Sequence, residues 1–436
     1  MLQRVACLTA VLIGLHPQLA SAQEVPLSEI LVRLIQNEIV LVGPPPGSPF
    51  ISHAAHFVPG ESQELTPFLF NQAIASQLAT FPLGSSSGGF TYTFDSSLGT
   101  YARSTNSFGP SFAERALTIG RRRWNMAASY QHASYSTFEG KDLDDGDIKF
   151  YLTHEPLGNN DFFEGDLIET ALSLDLKTDT FAFFVNYGIT DSLDVGIAVP
   201  ILHVSMDASV DATVLRLATQ NITAIHQFDS SGASTSTFTE NGSATGIGDL
   251  TIRAKYHFLK AGGGGLALGL DLRTPTGDDE NLLGTGATQA KFLLIGSTEA
   301  RMFGPHFNIG YTFSSDSGND FFNVTDEFNY VFGTEFVVHP SVTIAADVVG
   351  RQFRDSGRLV ETAKTFNFRS VAGVPGSATF NEFAQQSGSL NNVIGAIGAK
   401  FNPAPNLLIS ANILFPFTDA GIRSNIVPVI GFEYSF

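Results

Sequence analysis

The sequence predicts an all-β fold, a closed antiparallel barrel crossing a membrane, and three observations predict it. First, the chain is apolar without being helical. Of its 436 residues 43% are hydrophobic, 38 are Phe and only 15% are charged, against about 25% charged in an ordinary soluble domain. After Ala22 no apolar run approaches the roughly 20 residues that a spanning helix needs. Second, from Trp124 onward apolar residues recur at every second position, the period of a strand with one apolar face. Third, tight turns alternate with long polar connections. In hydrocarbon every backbone N–H and C=O must be bonded internally, so strands can cross only when the sheet closes on itself.

Met1 to Ala22 carries one early cation, Arg4, then an apolar run from Val5 to Leu15, then Ala20, Ser21 and Ala22. This is the pattern of a secretory signal peptide, with cleavage expected near Ala22. The single cysteine, Cys7, falls inside it, so neither disulfide nor thiolate ligand is expected in the mature chain.

Residues 23–110 do not read as barrel. Leu27, Ile30, Leu31, Leu34 and Ile35 have helical spacing behind Ser28, a cap candidate, and Gly43-Pro44 ends the helix. Thr66-Pro67 opens a second helix with Phe70, Ile74, Leu78 and Phe81 on one face. A small hairpin is expected from Phe90–Phe94 and Gly99–Arg103. Two short helices and a hairpin bury little alone. Docking inside the barrel as a plug or lying at its periplasmic mouth are the ordered options, and a loose tail is the alternative. The expected division is therefore 1–22 leader, 23–110 helical segment and plug candidate, and 111–436 barrel.

Twelve strands are expected, near 123–138, 168–188, 193–206, 247–259, 265–274, 287–297, 305–314, 327–338, 342–353, 391–401, 407–416 and 424–436. The cleanest is Leu266, Leu268, Leu270 and Leu272 alternating with Ala267, Gly269, Asp271 and Arg273. In 168–188 the apolar phase flips between Leu176 and Phe181, as at a bulge or the turn of an extra hairpin. If that is a turn and Ile148–Thr153 also crosses, the count is fourteen. Turns near 189–192, 260–264, 339–341 and 402–406 are tight, while 215–244, 275–286, 314–325 and 354–390 are long and polar. Short turns face the periplasm in bacterial barrels and long loops face outside.

The last strand alternates Ile426, Pro428, Ile430, Phe432, Tyr434 and Phe436 with Val427, Val429, Gly431, Glu433 and Ser435. It resembles the closing strand of bacterial outer-membrane barrels, whose terminal aromatic is an assembly signal. That resemblance assigns Phe432, Tyr434 and Phe436 to recognition by the barrel-assembly machinery, and outer-membrane lipid to the outer face.

On the polar phase lie Asp249, Arg253, Lys255, Asp271, Arg273, Lys291, Glu335, Asp347, Arg351 and Lys400. They are the candidate lumen-facing residues. Mixed signs on neighbouring strands predict cross-strand ion pairs that stiffen the interior, or a polar constriction that orients a solute. Leu268→Arg is expected to be costly and Asp271→Asn cheap.

No catalytic, metal or cofactor site is expected. Gly84-Ser85-Ser86-Ser87-Gly88 fits a nucleophile-elbow string but has no strand before it and no helix behind it. His132, His154, His203, His226, His257, His306 and His339 show no metal-ligand spacing. A net charge of −18 speaks against a nucleic-acid partner. The acidic runs at 142–147 and 278–280 read as solvated loop faces.

Four stretches carry a family resemblance. They are Asn186-Tyr187-Gly188-Ile189-Thr190-Asp191 followed by Leu193-Asp194-Val195-Gly196, Gly246-Ile247-Gly248-Asp249-Leu250, Thr274-Pro275-Thr276-Gly277-Asp278 and Asn308-Ile309-Gly310-Tyr311. In this order they resemble the outer-membrane barrels grouped with the meta-pathway of phenol degradation, and more distantly the FadL-type channels. The resemblance covers roughly 120–436. It implies an outer-membrane channel for a small hydrophobic or aromatic solute. A barrel presenting acidic loops to partners and a general porin are the alternatives.

Overall fold

The fold is known from a computed structural model. It describes residues 25–436 except 45, 50–56, 60–69, 71, 75–76, 79–80, 86–88, 96, 98–99, 155–163, 224 and 318–323. The leader, Cys7 and the Thr66-Pro67 helix start lie outside the described residues.

Twelve strands make the barrel: β1 (Trp124–Phe138), β2 (Leu167–Gly188), β3 (Leu193–Leu215), β4 (Thr251–Ala261), β5 (Gly264–Arg273), β6 (Gln289–Ser297), β7 (Phe303–Ser314), β8 (Glu327–His339), β9 (Val342–Phe353), β10 (Leu390–Ala404), β11 (Leu407–Pro416) and β12 (Val427–Ser435). Each pairs antiparallel with the next. β12 returns to β1 through Phe432↔Ala128 and Tyr434↔Met126, and Trp124 and Phe436 exchange backbone hydrogen bonds of 2.8 and 2.9 Å. The closed ladder is what a lipid environment demands.

The fourteen-strand alternative falls. β2 is one strand of 22 residues in unbroken register with β3, from Leu167↔Leu215 to Gly188↔Asp194. Leu172, Leu174, Leu176, Ala182, Phe184 and Asn186 all point inward and are buried. The phase never changes; the surroundings do. Around Phe181 and Phe183, both exposed, the outer face meets lipid and must be apolar. Nearer Leu167 the strand rises beyond the membrane, where its inner face packs a core and its outer face, with Asp175 and Lys177, meets water. Ile148–His154 does not cross either: it pairs with this upper part of β2, Ile148↔Leu172 to Thr153↔Leu167.

Two expected loops are also sheet. Thr235–Ile247 pairs with the upper part of β3, Ile201↔Ile247 to Thr213↔Thr235, and Arg358–Arg369 pairs with Pro375–Gln386. Their apolar residues are too sparse to betray them: Thr235–Ile247 leans only Phe238 and Ala244 on the core, while the hairpin buries Leu359 and Phe383 in it and sets Phe366 and Phe380 against Tyr151.

The expected helix is α1 (Leu27–Arg33), continued by one π-turn at Leu34–Glu38. Ser28 does not cap it; Pro26 holds that position, and the Ser28 amide bonds the Glu280 carbonyl at 3.0 Å. The apolar helix faces, with Leu31, Leu34, Phe70 and Ile74, are buried in one core with Leu172, Leu174, Val210 and Val214. That core lies above the membrane, under the long connections. The hairpin Tyr92–Asp95 with Thr100–Arg103 forms as expected. It sits at the opposite, short-turn end, where the Tyr92 hydroxyl reaches Asn406.

Outward, every barrel strand contributes exposed apolar side chains, from Met126 and Phe183 through Leu268, Phe292 and Phe332 to Phe432. Gly350 on this face has no room for a Cβ, because the ring of Tyr330, its register partner, lies over it. Leu268 is 53% exposed, so Leu268→Arg is expected to cost about 2–4 kcal/mol of barrel stability near mid-membrane. A urea titration in lipid vesicles measures it, and a cost near zero contradicts the lipid face. Deleting Phe436, whose backbone closes on Trp124, is expected to lower the yield of heat-modifiable folded protein in the outer membrane. Normal yield removes its assembly role.

Candidate functional site inside the barrel

The inward rows hold the chemistry. His306, Gly333 and Asp347 are register partners across β7, β8 and β9. With no side chain between them at Gly333, His306 Nε2 reaches Asp347 Oδ1 at 2.6 Å; a Cβ on that glycine would collide with both. The other Asp347 oxygen accepts the backbone amides of Ser111 and Phe112 at 3.1 and 2.8 Å. Lys400 donates to the carbonyls of Phe108 and Pro110 at 3.2 and 2.6 Å. Glu335 accepts from the Ser107 hydroxyl at 3.0 Å, and Asn308 bonds both the amide and the carbonyl of Glu114, at 2.6 and 2.8 Å. Asp194 accepts the Ile119 amide at 3.0 Å. Extended chain cannot satisfy its own backbone groups, so a buried segment needs such partners. Residues 107–119 thus lie across the barrel interior, ahead of β1.

Of the other members of the predicted set, Arg253 and Asp271 pair with each other, and Arg351, Lys255, Arg273 and Asp249 find partners outside it. Arg253 grips Asp271 with two bonds of 2.5 and 2.6 Å and Glu114 with a third of 2.5 Å. Arg351 grips Glu327 at 3.1 and 2.6 Å. Both are cross-strand pairs, on β4/β5 and β8/β9, and Glu327 lies outside the predicted set. Lys255 donates to the Arg115 carbonyl at 3.2 Å, and Arg273 to Gln289 at 2.9 Å. Lys291 stands opposite Asp271 and Thr312 in register. Asp249 does something different: it accepts the amides of Gly277 and Thr285 at 3.1 and 2.9 Å, pinning the connection 275–286 over the barrel.

A cavity of about 150 Å³ remains between the two sets. One wall is Phe81, Pro82, Leu83 and Phe112 from the N-terminal segment with Phe184 from β2; the other carries Arg253, Asp271, Arg273, Lys291, Glu327 and Arg351. Mostly apolar pockets with a few placed polar groups are the usual small-molecule sites. An apolar cavity of about this size can hold one benzene-sized molecule.

Sequence reasoning passed over Glu114, Arg115, Asp194, Glu327 and Glu433. The last three sit on the inward phase of their strands and were legible in principle. Glu114 and Arg115 were not, since they precede the first strand. Ser85 of the elbow-like string donates its amide to the Ser111 carbonyl at 2.9 Å; residues 86–88 lie outside the described residues. His154 and His226, far apart in sequence, come within 5.5 Å, and His226 contacts Asp166 at 2.8 Å. Both are buried in the core above the membrane.

A family model described as "Putative MetA-pathway of phenol degradation" matches residues 169–373. The resemblance read from the sequence holds. The match spans β2 to the extramembrane hairpin and includes all four motif stretches. No curated protein matches the chain. Among solved structures it is similar to the COG4313 outer membrane channel from Pseudomonas putida F1, at 12% identity, covering 74% of this chain and 98% of that one, with a TM-score of 0.44. A Pseudomonas aeruginosa FadL homologue aligns at 12% identity over 74% and 91%, TM-score 0.33. The CymD monoaromatic hydrocarbon channel aligns at 9% over 73% and 89%, TM-score 0.27.

Proposed function

We propose that this outer-membrane barrel is a channel for small hydrophobic or aromatic compounds, with residues up to about 120 acting as its plug. The observation that carries the reading is the cavity between Phe81–Leu83, Phe112 and the β4–β9 wall. It lies inside the barrel, next to a segment held by hydrogen bonds to side chains of the barrel wall. An apolar molecule gains by leaving water there, roughly 25 cal/mol for each Å² of apolar surface covered. Polar groups beside it restrict orientation. The family model's link to phenol degradation fits such a solute. The role is transport, not catalysis.

Single-channel conductance and liposome uptake test it. The intact protein is expected to conduct ions poorly while taking up toluene or phenol. Deleting residues 23–120 is expected to raise conductance and abolish the preference for apolar solutes. Passage of hydrophilic sugars by intact protein, unchanged by the deletion, makes it a general porin.

A further inference from the structure

The charges lining the cavity do not cancel. Four cations, Arg253, Arg273, Lys291 and Arg351, face three carboxylates, Glu114, Asp271 and Glu327. Pairing makes the imbalance local. Arg253 takes Asp271 and Glu114, and Arg351 takes Glu327 in a two-bond grip. Among the described residues no carboxylate lies within ion-pair distance of Arg273 or Lys291. Arg273 gives one N–H to the neutral amide of Gln289, leaving most of its five donors for something else. The nearest carboxylates, Asp271, Glu327 and Asp249, are already bonded to Arg253, Arg351 and the Gly277 amide, so Arg273 and Lys291 keep donors unused, and a cation held away from bulk water gains from a further negative partner. In a chain of net charge −18 this local surplus is not a by-product of composition. The acidic loop runs at 142–147 and 278–280 do not cancel it, because exposed charges are screened beyond about 8–10 Å at physiological salt.

The same cavity has an apolar wall of Phe81, Leu83, Phe112 and Phe184. A neutral hydrocarbon satisfies that wall and leaves the cations unmet. A small inorganic anion does the reverse. We propose that the cavity selects molecules with one ring-sized apolar body and one carboxylate head, the class of an aromatic carboxylate, with Arg273 and Lys291 receiving the head. This inference rests on the channel reading and names its solute class. Guanidinium and carboxylate match as planar forks, and the ammonium of Lys291 adds a second charge from the neighbouring strand.

The test is isothermal titration of the full-length protein in detergent with sodium benzoate and with benzyl alcohol, the same ring with a neutral head, at fixed ionic strength. Benzoate is expected to bind at least about tenfold tighter, a difference of about 1.4 kcal/mol. That ratio is expected to collapse toward one in Lys291→Gln and in Arg273→Gln, and to survive in part in Lys291→Arg. Equal affinities in the unmodified protein overturn the inference, as does a ratio that persists in both neutral variants. If those variants do not fold, the ratio in the unmodified protein still decides. Binding of benzyl alcohol alone removes the anion preference and leaves the channel reading standing. Binding of neither removes both.

Discussion

Asp347→Ala is expected to release the lumen segment and to open the barrel to ions. At one stroke it removes the acceptor for the Ser111 and Phe112 amides and the partner of His306 Nε2. All of these groups are buried, and each orphaned buried donor costs about 1–3 kcal/mol. The barrel ladder does not pass through the Asp347 side chain, so heat-modifiable folded protein should remain. The measurable change is a several-fold rise in conductance step in planar bilayers. Asp347→Asn keeps an acceptor oxygen for the two amides and is expected to leak less. Folded Asp347→Ala protein with unaltered conductance would mean that the segment is held elsewhere, and would weaken the plug proposal with it.

The second large effect is expected at Arg253. Changing it to Met leaves Asp271 and Glu114 facing each other in the interior without their shared cation. Breaking a buried ion pair from one side costs about 3–5 kcal/mol. Replacing the partners together is far milder, so Arg253→Met/Asp271→Leu/Glu114→Gln is expected to recover much of the loss in urea unfolding from vesicles. A triple variant as unstable as the sum of its parts would show that the pairing is incidental. The same geometry withdraws the sequence-based expectation that Asp271→Asn is cheap: Asp271 is not a loose lumen carboxylate but the bidentate partner of Arg253.

The membrane part of this chain was readable because one rule acts on every residue there: lipid outside, filled lumen inside, period two between them. Leu268, Phe292 and Phe332 announce the outer face and Asp347 and Lys400 the inner. The rule lapses above the membrane. At Leu172–Leu176 the apolar side is the inner one, so a constant phase looked like a slip. At Thr235–Ile247 water bathes much of both faces, and Phe238 and Ala244, which lean on the core, are too few to mark a strand. The ion pairs on neighbouring strands were within reach because register follows from alternation. The contacts that Asp347 and Lys400 make with the lumen segment were not: their partners there are backbone groups of Phe108–Phe112, which no side-chain pattern reveals. The same holds for the cavity, whose apolar wall includes Phe81, a residue the helical spacing assigns to a helix face.

The path of the N-terminal segment constrains the order in which this protein can be made. Helix α1 and its neighbours bond the long-connection end, at Glu280 and Gln227. The chain then passes through the interior, and β1 starts at the short-turn end, where Trp124 meets Phe436. A finished ring would have to be threaded by that helix. The simpler route is that the sheet is still open along the β1–β12 seam when residues before Trp124 are laid in, and the seam zips last over its own contents. Contacts such as the Gly89 amide to Glu433, 344 residues apart in the chain, then form near the end of biogenesis. Full-length assembly intermediates in which the β1–β12 seam is still open should therefore expose residues 107–119 to protease, and finished barrels should not.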